Sequence, residues 1–231
     1  MNKQTLIQPK SKIIILTALA LASALCLGLY GMRALYTERL SYFFLNWNLF
    51  LAWIPMICAV AAYRLYARRS QLSYLAVPAF MLAWLLFFPN APYMTTDLLH
   101  LRSHNSIPVW FDLIMLLSYA WTAFLLGIVS LYLMQDLVSQ TVGGAGGWVF
   151  VLLTLGLTGF GIYLGRFLNW NSWDVFTNPY NLIADILDRL RHPFVYRGAF
   201  AFSFLFSAFS LSAYLVLFAL TRLSPQGQPA K

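Results

Sequence analysis

Residues 113–135 read LIMLLSYAWTAFLLGIVSLYLMQ, from Leu113 to Gln135, without one Asp, Glu, Lys or Arg. A helix that crosses the hydrocarbon core of a bilayer needs about 20 predominantly apolar residues, because each adds only about 1.5 Å of rise. This stretch supplies them in one piece. It is bounded by Trp110-Phe111-Asp112 on one side and Asp136 on the other, an aromatic and charged fringe of the kind that marks a membrane–water interface.

Working outward, five further charge-poor runs appear: Ile13 to Met32, Leu40 to Tyr63, Ser70 to Thr96, Leu137 to Gly165 and Gly198 to Thr221. Pro89-Asn90-Ala91-Pro92 cuts the third, because proline has no N–H for the helical ladder and disfavours helix in the residue before it. Its membrane part is expected at about Leu72 to Phe88. Gly143-Gly144-Ala145-Gly146-Gly147 should turn the chain before the fifth, leaving Trp148 to Gly165. The expected fold class is all-α, an integral membrane bundle of six transmembrane helices over 13–223. Residues 1–12 form an N-terminal tail and 224–231 a flexible C-terminal one. Lys3, Lys10 and Lys12 before the first run, with small-residue triplets around Ala18 to Ala24, raise a cleaved signal peptide; the full length of the apolar core favours an uncut anchor.

Composition agrees. The chain has 231 residues, 61% of them apolar and 10% charged, against roughly 45–50% and about 25% in soluble domains. So few charges cannot clothe a water-soluble surface. The net charge of +8 comes from short clusters between apolar runs, which is membrane flanking and not a nucleic-acid-binding stripe. Cys26 and Cys58 lie within apolar runs and offer neither a disulfide framework nor zinc-ligand spacing.

Lys3, Lys10, Lys12, Arg64, Arg68, Arg69, Arg222 and Lys231 fall on the face of the termini, and the N-terminal lysines and the Arg64–Arg69 cluster put that face in the cytoplasm. The expected location is the cell membrane, multi-pass. The opposite face collects Glu38, Asp97, Asp112, Asp174, Asp185 and Asp188 with His100, His104 and His192, while Asp136 stays behind. Ionisable groups gathered at one end of an apolar bundle are where a site is expected.

Two segments carry most of that polarity. After the third span Pro92 can open a short helix as its first residue, which sets Asp97, His100 and His104 at i, i+3 and i+7 on one face. A carboxylate and two imidazoles there are candidates for a divalent metal site or for proton transfer, with Asn90 a candidate binding group. The plainer reading is a helix-dipole carboxylate and two solvated histidines. His100-Leu101-Arg102-Ser103-His104 lacks the glutamate of a zinc-peptidase helix. Beyond the fifth span, Arg166 offers a planar fork to a carboxylate or lipid phosphate, Asn169, Asn171 and Ser172 add neutral hydrogen-bonding groups, Trp170 and Trp173 suit the headgroup zone, and Asp174 follows. The competing reading is an interfacial anchor with Arg166 paired to Asp97, Asp112 or Asp174.

From Asn178-Pro179 a short helix with Leu182, Ile183, Ile186, Leu187 and Leu190 as its apolar stripe and an Asp185–Arg189 pair should lie on the membrane surface, or cover the polar end, until Pro193 stops it. The pentapeptide FLNWN occurs at 44–48 and again at 167–171, but one copy enters a span and the other leaves one, so no repeat follows. Phosphate-binding and nucleophile-elbow motifs are absent, and Gly159-Phe160-Gly161 to Gly165 suits helix packing through Gly161 and Gly165 better than a dinucleotide loop.

With Pro89–His100, Trp110–Asp112 and Arg166–Asp174 in hand, the chain resembles the bacterial membrane proteins grouped as domain of unknown function 1361, from about the second span to the sixth. The resemblance implies a polytopic inner-membrane protein and supplies no activity or catalytic residue. Three functions remain open at this point. One is a non-enzymatic protein whose polar end binds a membrane-protein partner, lipid headgroup or small solute. Another is an enzyme acting on a lipid or lipid-linked substrate, with Asp97, His100, Asp112 and Asp174 as candidate catalytic groups and a divalent metal as candidate cofactor. The third, a transporter, ranks lower because the charges sit at the span ends.

Overall fold

A computed structural model describes residues 9–68, 73–101 and 107–223. Every regular element among the described residues is helical. The chain divides into two compact units, Met1–Leu137 and Val138–Lys231.

The first unit starts with α1 (Pro9–Thr37) and α2 (Phe44–Arg68). A short connection leads to α3 (Ser73–Phe87), which packs most extensively on α2. Pro55 and Pro78 sit inside α2 and α3, tolerated because neighbouring groups in a helical membrane bundle take over the freed backbone positions. Asn90 Nδ2 donates to the Phe87 carbonyl at 3.0 Å and caps the end of α3. The chain therefore re-enters helix at once as α4 (Asn90–Tyr93), and a 3-10 helix follows over Met94–His100. The new turn opens at Asn90, two residues before the expected Pro92. Within so short a turn the N–H that Pro92 lacks would have no intrahelical partner anyway.

α5 covers Val109–Leu168, 60 residues, with one non-helical residue, Gly143, at φ 89° and ψ 166°. The expected five-residue turn thus shrinks to a single left-handed glycine. Glycine costs about 1 kcal/mol in a helix in water, but where water is scarce an unpaired peptide group costs more, so the remaining glycines stay helical.

Polar side chains stitch the first unit. Trp53 Nε1 donates to Ser23 Oγ at 3.1 Å, Trp84 Nε1 to Ser130 Oγ at 3.1 Å, and Tyr63 Oη to Asp136 at 2.9 Å. Each joins two helices, as interhelical hydrogen bonds do where apolar burial gives no preference between protein and lipid.

In the second unit the end of α5 packs on α8 (Arg197–Leu223), with α6 (Asp174–Thr177) and α7 (Pro179–Arg191) between them in sequence. Ser207 Oγ donates to the Leu155 carbonyl at 2.9 Å. A close backbone approach is made at Gly159, which is buried against Ser203, whereas Gly161 and Gly165 are half-buried.

Among the described residues five stretches are long and apolar enough to cross a membrane: Ile13–Thr37, Phe44–Arg68, Ser73–His100, Val109–Leu168 and Arg197–Thr221. Their outward faces are apolar: Leu75, Leu82, Trp121, Leu153 and Phe204 are all more than 60% exposed. Such belts exceed what water tolerates on a monomer. They suit a hydrocarbon surrounding.

Candidate functional site

In the first unit the short polar segment after α3 is where the candidates meet. Asp97 lies in the 3-10 helix and is 2% exposed. Its Oδ2 accepts from Asn48 Nδ2 of α2 at 3.0 Å, and its Oδ1 stands 3.7 Å from His100 Nδ1. Three residues per turn stack positions i and i+3 in a 3-10 helix, which is why the imidazole comes over the carboxylate. His100 is half-exposed, so this end of the carboxylate is its way out. Two residues before Asn48, Asn46 Oδ1 takes a short hydrogen bond from Tyr119 Oη of α5. In the sequence Asn46 and Asn48 stand out only as part of the first FLNWN pentapeptide, and nothing in it pointed to Tyr119.

Asp112 is met by a residue that the sequence did not single out. Arg33, near the end of α1, donates from Nε to Oδ1 at 2.7 Å and from Nη2 to Oδ2 at 3.2 Å. Both side chains are 2% exposed. Tyr42 joins this pair to the Asp97 cluster: its ring lies 4.6 Å from the Arg33 guanidinium carbon, and its hydroxyl donates to the His100 carbonyl at 3.0 Å. It does so at φ 68°, a left-handed conformation that costs a bulky side chain about 1–3 kcal/mol and persists only where surrounding contacts impose it.

The remaining candidates belong to the second unit. Arg166 is half-buried in the last turn of α5, and Asn169 follows at φ 59°, letting the Trp170 N–H return to the Leu164 carbonyl at 3.2 Å. Asp174 accepts from the Asn171 backbone at 2.7 Å, the Asn171 amide at 3.3 Å and the Thr177 hydroxyl at 3.0 Å. The Asn171 N–H is the main reason its carboxyl sits below the usual range. Asn169, Asn171 and Asp174 thus build a chain turn.

α7 runs from Pro179 to Arg191, and the expected Asp185–Arg189 pair forms at 3.3 Å. Trp170 Nε1 donates to Asp185 at 2.8 Å. Leu182 turns inward while Tyr180, Ile183, Leu187 and Leu190 remain exposed. Near the end of α7, Asp188 accepts from Tyr196 Oη and stands 3.0 Å from His192 Nδ1, both of which follow the helix.

The Tyr196 hydroxyl, then His192, hold the Asp188 carboxyl below its ordinary value, and the same hydrogen bond holds the Tyr196 phenol above its own. A depressed carboxyl stabilises the fold above its unfolded pKa of about 3.9 and ceases to do so as pH falls through the folded value. A raised phenol does so below about 10, and the contribution fades as pH rises through its folded value. A spin label at exposed Ile183 is therefore expected to gain mobility in strong acid and strong base but not between. Equal profiles in wild type and Tyr196→Phe would contradict this.

Among the described residues no group of three or more His, Cys, Asp or Glu is placed to hold a metal ion. Asp97 and His100 are the described pair; His104 lies outside the described residues.

Apolar helices long enough to span, tied by interhelical polar contacts and carrying buried carboxylates at their ends, are those of a multi-pass helical membrane protein. The family model described as Protein of unknown function (DUF1361) matches residues 47–212, and the chain belongs to that family. No curated protein and no solved structure matches. The matched region holds Asn48, Asp97, His100, Asp112, Arg166 and Asp174; Arg33 and α1 precede it.

Proposed function

We propose that the chain crosses the cell membrane six times with both termini in the cytoplasm, and that the end carrying Asp97 binds a lipid headgroup or a small polar solute without chemical conversion. For the span count the support is Gly143. A straight helix of 60 residues would extend about 90 Å, three times the hydrocarbon thickness of about 30 Å. A break at Gly143 gives two arms, each long enough to cross. Reporter fusions after Gly147 and between Asn171 and Pro179 are expected on opposite sides of the membrane; the same side for both would remove the sixth span. The exposed stripe of α7, with Arg191 near its end, suits a helix lying in the headgroup layer.

For the binding role the observation that carries the reading is the Asp97 carboxylate, buried at a span end yet edged by the half-exposed Asn48 and His100. A membrane carboxylate is costly to maintain, and one reached through polar side chains is a site by default. The test is lipid retention by native mass spectrometry, using protein from mixed micelles of phosphatidylethanolamine and phosphatidylglycerol. Wild type is expected to retain one headgroup class preferentially, and Asp97→Asn and Asn48→Ala to lose about tenfold of that preference, the worth of one charge-assisted hydrogen bond. Indifferent retention in all three proteins would overturn the reading.

A further inference from the structure

Arg64 stands about 24 Å along α2 from Asn48, at 1.5 Å of rise per residue, which puts it at the end of the span away from the Asp97 cluster. Arg68 follows one turn later on the same face. Both are exposed, and neither makes a hydrogen bond or ion pair with another described residue. Asp136, the acid at this end, accepts from Tyr63 Oη at 2.9 Å and pairs with neither arginine. Two planar forks of the shape that suits phosphate therefore stand side by side without a counter-charge among the described residues.

The same helix face continues into a recess of about 80 Å³, where Met56, Val60 and Arg64 of α2 face Leu16 of α1 and Val129 of α5. Its lining is wholly apolar, so Arg64 gives the wall its methylene stem and carries its exposed guanidinium outside, as long cationic side chains do at a membrane edge. Leu16, Val60 and Val129 are half-buried, so the recess opens at the surface of the unit. A cavity of roughly 150 Å³ holds a benzene ring; the smaller volume here suits a stretch of flexible chain and not a ring. An apolar slot beneath a pair of accessible, uncompensated cations has the outline of a lipid with a negative headgroup, the ligand that basic pockets between membrane helices select. We propose that this recess holds an acyl chain of one anionic glycerophospholipid, whose phosphate is held by Arg64 and Arg68.

The proposal rests on the bilayer placement given above and not on the cluster around Asp97. The test uses full-length protein in a maltoside detergent and follows the melting temperature on adding dioctanoylphosphatidylglycerol or dioctanoylphosphatidylcholine, which share their chains and differ in net charge. Wild type and Asp97→Asn are expected to respond saturably, with the glycerol lipid about thirtyfold tighter for its two arginine contacts. Arg64→Gln/Arg68→Gln, which alters exposed residues only, is expected to treat the two lipids alike. Arg191→Gln/Arg197→Gln subtracts the same charge elsewhere and is expected to keep the preference. Val60→Trp fills the recess and is expected to respond to neither lipid; Val129→Phe, filling it from α5, takes its place if Val60→Trp fails to fold. Equal response of wild type to both lipids, or the same loss in Arg191→Gln/Arg197→Gln, would overturn the assignment, the latter reducing it to net charge. An unaltered response in the filled variant would overturn it too, as would glycerol 3-phosphate stabilising as well as the lipid, which makes the ligand a soluble phosphate. Loss of the preference in Asp97→Asn and not in the Arg64 and Arg68 double variant would move the lipid to the other end of α2. Failure here with reporter fusions on the expected sides would leave the membrane reading standing.

Discussion

Arg33→Ala is expected to cost the protein most of its folded yield. The substitution leaves Asp112, 1% exposed, as a carboxylate with both oxygens stripped of the donors that now lie at 2.7 and 3.2 Å. Removing one partner of a buried ion pair typically costs about 3–5 kcal/mol, because the survivor keeps its desolvation penalty without its attraction. Against a total stability of about 5–15 kcal/mol that is a large fraction. Loss of the guanidinium also removes the cation over the Tyr42 ring, one of the contacts that hold Tyr42 at φ 68°. The double replacement Arg33→Met/Asp112→Leu removes both charges and keeps most of the volume, so its stability is expected to return to near that of wild type. Thermal melts in detergent, followed by size-exclusion profile, measure both. A stable single variant, or a double variant as damaged as the single one, would show that the pair does not secure α1 to α5.

The same pair marks the limit of what sequence could show. Charge-free stretches locate spanning helices because hydrocarbon excludes charge whatever the neighbours are. They therefore placed α1, α2, α3 and α8 to within a few residues, with α1 longer at both ends than its charge-free core. They failed where a neighbour makes the charge tolerable. Asp136 ends a charge-free run, yet α5 continues through it because Tyr63 donates to its carboxylate at 2.9 Å. Pairings between nearby residues were legible. Asp97 with His100 and Asp185 with Arg189 follow from helical spacing alone. Arg33 and Asp112 are 79 residues apart, and Tyr119 and Asn46 are 73 apart. Nothing local links them, and they meet only once the helices have chosen partners. Tyr42 illustrates a further limit, since no side-chain preference announces a tyrosine at positive φ; the contacts that impose it are themselves long-range.

Helix packing in the second unit supplies the other large effect. A Cβ built on Gly159 would stand 2.4 Å from the Ser203 carbonyl oxygen, 3.1 Å from its carbon and 2.4 Å from Ser207 Oγ. The serine hydroxyl can rotate away, but the carbonyl belongs to the backbone of α8 and cannot. Gly159→Ala therefore forces α5 and α8 apart and stretches the Ser207–Leu155 hydrogen bond from 2.9 Å. Overpacking of this kind costs about 1–3 kcal/mol, and the larger Gly159→Val more. Gly156, one turn earlier on the same helix, gives the matched control, because a Cβ there meets nothing within 4 Å. Gly156→Ala is expected to be neutral or to stabilise by up to about 1 kcal/mol through helix propensity alone. The contrast between the two alanines separates close approach from the general preference of helices for alanine over glycine. Melts of the two variants that fall together, in either direction, would mean that α5 and α8 do not meet at Gly159, and that Gly161 and Gly165, the glycines the sequence favoured, should be substituted next.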